Sequence, residues 1–250
     1  MGSSAQQAQV AELARQLKLP TFADTDHITR ELMDGATLRE ILIALMEREL
    51  AQRLDNRARR LIRAAGFPFH KTLDELDLRF YAGQLSAAML AELGSCAFVA
   101  QHRNLIISGG TGLGKTHLAI GLGLRTCARG QSVLFCTARS LVTQLQEARD
   151  AREPGRLWQK LQRCALLIID ELGYVRFDRE EAELLYQVMA ERAERGSIIL
   201  TTNLAFSAWT QCFADTALLE AMLDRLCHNA VRLELHGPSW RLSHEQRAGA

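Results

Sequence analysis

The sequence contains no C-x-x-C pair, although it holds six cysteines: Cys96, Cys127, Cys136, Cys164, Cys212 and Cys227. Without such pairs, zinc ribbons and thioredoxin-like redox motifs are set aside. Cysteines placed inside apolar segments read as reduced core residues. No apolar run approaches the roughly 20 residues that a membrane-spanning helix needs. The opening stretch, Met1-Gly2-Ser3-Ser4-Ala5-Gln6, has neither the basic nor the apolar region of a secretion signal, so a cytoplasmic protein with no membrane partner is expected. No internal repeat and no low-complexity tract is visible. Charge of one sign is not in excess either. Lys and Arg number 30, Asp and Glu 29, and the formal net charge is +1. A basic surface, if the protein uses one, must therefore be local. What remains is a chain of 250 residues with 48% apolar content, enough for a core domain with a smaller companion.

The most informative stretch is Gly109-Gly110-Thr111-Gly112-Leu113-Gly114-Lys115-Thr116, which fits the phosphate-binding pattern G-x-x-x-x-G-K-[ST]. Asn104-Leu105-Ile106-Ile107-Ser108 before it reads as a buried strand, and His117-Leu118-Ala119-Ile120 after it reads as a helix. Strand, glycine loop and helix together form the context in which this motif works. Glycines let backbone N–H groups curl around an anion, and the helix N-terminus adds its dipole at the same point. The segment from Gly109 to Thr116, with His117 beyond it, is the expected nucleotide-binding segment. Lys115 is expected at the β- and γ-phosphates, and the Thr116 hydroxyl on Mg²⁺. ATP and Mg²⁺ are the expected ligands.

A second motif lies downstream. Cys164-Ala165-Leu166-Leu167-Ile168-Ile169 is an apolar strand that ends in Asp170-Glu171, the Walker B pattern. Asp170 is expected to hold Mg²⁺ and Glu171 to act as general base on the attacking water.

The rest of the chain reads as two parts. Residues 5–66 are helical in pattern, and residues 67–250 form an α/β core. Val10, Leu13 and Leu17 follow helical spacing, with Pro20 as the stop. A short helix carries Ile28 and Leu32 and ends at Gly35. Thr37-Leu38-Arg39-Glu40 fits a capping box and opens a long helix with an apolar stripe through Ile41, Leu42, Leu45, Met46, Leu50, Leu54 and Leu61. Arg53, Arg57 and Arg60 share one face of it, with Arg59 and Arg63 nearby. Two readings stand: a solvated charged face, or a helix that contacts DNA phosphates. Gly66-Phe67-Pro68-Phe69 marks a boundary, His70–Phe80 a connector, and Ser86–Ala100 an Ala-rich helix. Strands are expected at Leu105–Ser108, Ser132–Thr137, Ala165–Ile169, Ser197–Thr202 and Val231–Leu235. Helices between them should start near Lys115, Ala138, Asp178 and Thr216. Apolar strands alternating with helices predict a five-stranded parallel sheet covered on both faces. Asp178-Arg179-Glu180-Glu181 should cap its helix, and Gly196 should close it.

These motifs in this order resemble the IstB family, the ATP-binding helper proteins of two-gene insertion sequences. That family lies within the AAA+ ATPases, in the clade of bacterial initiators and helicase loaders. The resemblance is carried by Phe67-Pro68 with Lys71-Thr72-Leu73-Asp74-Glu75, by the phosphate loop, and by Leu167-Ile168-Ile169-Asp170-Glu171-Leu172-Gly173-Tyr174. It continues through Thr202-Asn203-Leu204, Phe206-Ser207-Ala208-Trp209, Leu223-Asp224-Arg225-Leu226 and Ser239-Trp240-Arg241-Leu242. It implies a protein that binds ATP, forms a homo-oligomer on double-stranded DNA, and presents that DNA to a partner transposase. It places a γ-phosphate sensor at Asn203, which could equally cap a turn. It places an arginine finger acting on a neighbouring subunit at Arg225, which could equally form a surface pair with Asp224. Only His236–Ala250 follow the last strand, so the helical lid of an AAA+ module is expected to be reduced or absent, with Arg241 as a possible second sensor. The clade's additional helix falls in Leu141–Leu161, whose Arg149, Arg152, Arg156 and Lys160 could face DNA or solvent. Helicase loading, small-molecule phosphorylation and a non-hydrolysing DNA scaffold are the rival functions.

Overall fold

The structure is a computed structural model that describes residues 2–23, 37–81, 83–151 and 154–240. It divides into two compact units, Met1–Arg59 and Arg60–Ala250.

In the first unit, α1 (Gly2–Gln16) ends where Lys18 takes a left-handed backbone, and Pro20–Ala23 form a 3₁₀ turn. Helix α2 (Leu38–Ala65) opens on the expected capping box. Thr37 N donates to Glu40 at 2.7 Å, and Glu40 N donates to Thr37 Oγ1 at 3.4 Å. The α2 side that meets the Pro20 turn carries Leu45 and Glu49, both buried. Glu49 accepts from Thr21 Oγ1 at 2.5 Å and from Arg53 Nε at 2.8 Å. These bonds, Thr21 first, hold its pKa below the usual carboxylate value. The expected stripe is therefore only partly buried: Leu42, Met46, Leu50 and Leu54 are exposed. The short helix expected around Ile28 and Leu32 lies outside the described residues.

The second unit is a three-layer α/β/α domain. Its strands are β1 (Asn104–Gly109), β2 (Val133–Thr137), β3 (Leu166–Leu172), β4 (Ser197–Thr202) and β5 (Ala230–Leu235). They pair in the order β2-β3-β4-β1-β5, every pair parallel. Neighbouring residues of one strand serve different layers, because side chains alternate across a sheet. Leu105, Ile107 and Ile168 join the core beneath α5 (Lys115–Ala128), whereas Ile106, Leu167 and Ile169 join the core on the opposite face. That opposite face is covered by α6 (Ala138–Asp150), α7 (Pro154–Arg163), α8 (Arg179–Arg192) and α9 (Thr216–Cys227). Two helices lie between β2 and β3: α6 starts at Ala138 as expected, and α7 is the additional helix expected before β3. The six cysteines are free, five of them buried, and burial pushes Cys136 up to about 12. Among the described residues no helix is long and apolar enough to cross a membrane.

Two local expectations are corrected. The Ser86–Ala100 helix is broken into α3 (Ala87–Gly94) and α4 (Ala97–Ala100), because Cys96 adopts a left-handed φ of 55° and restarts the chain in a new direction. Gly196 does not close α8. The helix ends at Arg192, and Glu194 takes the left-handed conformation (φ 64°). Gly196 instead makes room for the Arg192 guanidinium, which a Cβ there would approach to 2.5 Å. Arg192 is 2% exposed and donates to four main-chain carbonyls. These are Leu161, Cys164 (3.0 Å), Ala165 (3.3 Å) and Ser197 (2.9 Å), so it staples the end of α7 to the starts of β3 and β4. Burial lowers its pKa below the ordinary arginine value.

At the start of α8 the expected cap is present: Glu181 N donates to Asp178 Oδ1 at 2.8 Å, and Asp178 N to Glu181 Oε2 at 3.1 Å. Asp178→Ala should remove about 1 kcal/mol and lower the melting temperature by roughly 2–4 °C, as read by calorimetry. An unchanged melting temperature would show that the cap is not used.

Candidate nucleotide site

The end of β1 delivers the chain to the phosphate loop, and α5 begins at Lys115. Gly114, the residue that caps α5, has φ 77°, and a Cβ there would lie 2.4 Å from the Tyr81 hydroxyl. Only glycine combines that backbone with that close approach. Leu113 turns inward and is buried, whereas Gly110 and Thr111 are exposed. Lys115 Nζ lies back across the loop and donates to the carbonyls of Gly109 at 2.7 Å and Gly110 at 2.6 Å.

Asp170 is brought against the loop from β3. Its carboxylate is 3% exposed and accepts from Thr116 Oγ1 at 3.0 Å. The Thr201 hydroxyl at the end of β4 donates to the same carboxylate. Thr116 and Asp170 form an oxygen-only pair, the donor chemistry that suits Mg²⁺ completed by phosphate and water oxygens. Glu171, one residue on, is exposed and sits at φ 63° where the β3–β4 register shifts between Ile169 and Leu172. Such a bulge re-aims a side chain. Glu171 therefore leaves the sheet and lines the same cavity as Lys115 and Thr116.

That cavity has a volume of about 410 Å³. The connector supplies a wall that sequence reasoning passed over: Phe69, Phe80 and Tyr81 line it, with Trp240 from the segment after β5. Connector and loop are tied together, since His117 Nε2 lies 2.7 Å from the Thr72 carbonyl. Thr72 and Glu75 form a capping box that pulls the Glu75 carboxyl down to about 2, chiefly through the Thr72 N–H. Tyr174, after the acidic pair, meets Thr111 Oγ1 through its hydroxyl at 3.1 Å. Trp240 N donates to the Gly112 carbonyl at 3.1 Å. No periodicity marks any of these loop aromatics.

The remaining expected residues fall elsewhere. Asn203 is half-buried, and its Oδ1, which has no hydrogen-bond partner among the described residues, lies where a Cβ on Gly173 would come within 2.7 Å. Thr201 and Thr202, not Asn203, line the cavity. Arg225 is exposed near the end of α9, in a separate cavity of about 770 Å³ with His102, Asn104 and Asn229. Asn104 begins β1 and the phosphate loop follows its end, so Arg225 and the loop occupy opposite ends of the sheet. Among the described residues no ion pair joins Arg225 to Asp224. Arg53 is engaged by Glu49 and by the Lys18 carbonyl (2.8 Å), and Arg149 by Glu180 (3.3 Å). Arg57, Arg60 and Arg63 are exposed and have no ion-pair partner among the described residues. Arg152 and Arg241 lie outside the described residues.

A family model described as IstB-like ATP binding protein matches residues 11–248. The "Insertion sequence IS21 putative ATP-binding protein" of Pseudomonas aeruginosa is 37% identical over 84% of this chain and 79% of its own length. The "Insertion sequence IS5376 putative ATP-binding protein" of Geobacillus stearothermophilus is 35% identical over 93% of each chain. Among solved structures, the DnaC helicase loader superposes with a TM-score of 0.53 at 18% identity, over 70% of this chain and 98% of that one. AMPPCP-bound DnaA from Aquifex aeolicus gives 0.56 at 16% identity, over 73% and 56%. The last two likenesses establish the fold, a P-loop α/β core of the AAA+ type. With a family match over nearly the whole sequence, this chain belongs to the IstB-like ATP-binding proteins.

Proposed function

We propose that this protein is a Mg²⁺-dependent ATPase that assembles as a homo-oligomer on double-stranded DNA in the cytoplasm and assists a partner transposase in inserting DNA. The observation that carries the ATPase reading is the hydrogen bond from Thr116 to buried Asp170, with exposed Glu171 beside it. In this reading the loop N–H groups and Lys115 bind the phosphates. Thr116 and Asp170 would hold Mg²⁺, which offsets the charge of the phosphates when bound. Glu171 takes a proton from the water that attacks the γ-phosphorus, and Asn203 senses the γ-phosphate. Phe69, Phe80 and Tyr81 offer flat apolar surface for the base. Residues 67–250 constitute the ATPase core, and residues 1–66 the DNA-binding and oligomerising part.

Arg225 and the phosphate loop occupy opposite ends of the sheet, which supports a finger that acts on a neighbouring copy. A contact of that kind is head-to-tail and builds rings or helices. Arg57, Arg60 and Arg63, which have no ion pair among the described residues, are the favoured phosphate contacts, because Arg53 and Arg149 already hold carboxylates. The transposition step rests on the insertion-sequence names of the relatives.

The test is light scattering with and without duplex DNA, under ATP, ADP and no nucleotide. A large complex that needs both ATP and DNA is expected. That complex should weaken with salt at a log–log slope of roughly −0.9 per phosphate neutralised. A monomer or dimer indifferent to both ligands, or capture of a replicative helicase in place of DNA, would overturn the reading. Arg225→Ala should retain nucleotide binding and lose turnover. Turnover at the wild-type rate in that variant would remove Arg225 from the mechanism.

A further inference from the structure

Thr201 belongs to neither sequence motif, yet its hydroxyl touches both members of the acidic pair. It is 1% exposed, within the end of β4. Its Oγ1 accepts from the Glu171 N–H at 3.0 Å and donates to Asp170 Oδ1. A hydroxyl has one proton to give and lone pairs with which to receive. The direction of both bonds is therefore fixed: a carboxylate can only accept, and an amide can only donate. The N–H concerned lies where the β3–β4 register shifts, on a residue whose left-handed backbone is strained for a non-glycine. Strain of that kind persists only where the surroundings hold it. Among the described residues, Thr201 Oγ1 is the one side-chain acceptor seen for that N–H.

We propose that Thr201 is the positioning residue of the ATPase site. Its hydroxyl fixes the Glu171 backbone in the bulge, and so fixes the direction of the Glu171 carboxylate, while locking Asp170 toward Thr116. Thr201 acts through these two acids, although it also lines the cavity. The inference rests on the reading of Asp170 and Glu171 as the metal-side and water-side acids. It deepens that reading by making the two acids one unit. The strand beyond Thr201 leads into Thr202 and Asn203, so a single strand end both carries the proposed sensor and aims the base.

The experiment compares Thr201→Val, which keeps shape and loses the hydroxyl, with Thr201→Ser, which keeps the hydroxyl. Both are made in the full chain and assayed with Mg²⁺, ATP and duplex DNA. Thr201→Val should lower kcat by roughly 10–100-fold, the usual size of an outer-shell loss. Its affinity for a fluorescent ATP analogue should stay within about twofold of wild type, and Thr201→Ser should stay within about threefold in kcat. Should the valine variant fail to fold, Thr201→Ala carries the same test. Because part of what Thr201 does passes through Glu171, adding Thr201→Val to Glu171→Gln should lower the single-turnover rate by clearly less than Thr201→Val lowers it in the wild-type background. Wild-type kcat in Thr201→Val overturns the proposal. So does equal impairment of the valine and serine variants, or a full multiplicative loss on the Glu171→Gln background. If Glu171→Gln itself turns over at the wild-type rate, the reading of the acids has failed, and that result is distinguishable from a failure of Thr201 alone.

Discussion

A carboxylate that is almost sealed from water must find hydrogen-bond donors within the protein. Asp170 finds them on two elements far apart in sequence: Thr116 at the start of α5 and Thr201 at the end of β4. One charged group thereby draws together the phosphate loop, β3 and β4. Loss of either hydroxyl leaves Asp170 under-satisfied in a setting where an unpaired charge is costly. The chemistry at the mouth of the cavity depends on this buried anchor, because the exposed Glu171 is attached to Asp170 by one peptide bond and leaves the sheet where the register shifts.

The parallel sheet explains why these groups can meet. With every strand running the same way, β1, β3 and β4 end at a common edge, and the order β2-β3-β4-β1-β5 puts β1 between β4 and β5. The phosphate loop then emerges next to the hydroxyls of β4 on one side and the exit of β5 on the other. The opposite edge is organised differently. There Arg192 gathers the carbonyls of Leu161, Cys164, Ala165 and Ser197 around one guanidinium. Its planar fork of five donors can serve several acceptors at once, as no lysine could.

Much of this architecture was legible because the signals are local. Five apolar runs of strand length gave five strands, and Ser197–Thr202 was read to the residue. The glycine loop and the acidic pair announced themselves by residue type and spacing. What escaped depends on contacts distant in sequence. Gly94 and Ser95 offered a signal for the break before Cys96, but the left-handed turn itself falls on a cysteine, where that backbone is uncommon. Gly196 looked like a helix stop but serves a side chain that had no reason to be noticed. Tyr81, Phe69 and Phe80 lie in a connector without period, and only the folded chain brings them to the phosphate loop. Thr201 could have been suspected, since two threonines follow the apolar run Ile198-Ile199-Leu200 within a buried strand and are a polar signal where none is needed for packing. The apolar stripe of α2 was visible, but its burial was not: the residues that bury are Leu45 and the polar Glu49, selected by a partner turn.

The position of Lys115 also bears on what the site will accept. Its ammonium is already held by the carbonyls of Gly109 and Gly110. The loop thus carries a cation seated by its own main chain. An incoming anion still feels the ammonium's charge while those two bonds stand, since neutral carbonyls do not cancel it. The lysine is thus held in one geometry by the main chain of its own loop, and less rotamer freedom remains to be lost when an anion draws on its charge.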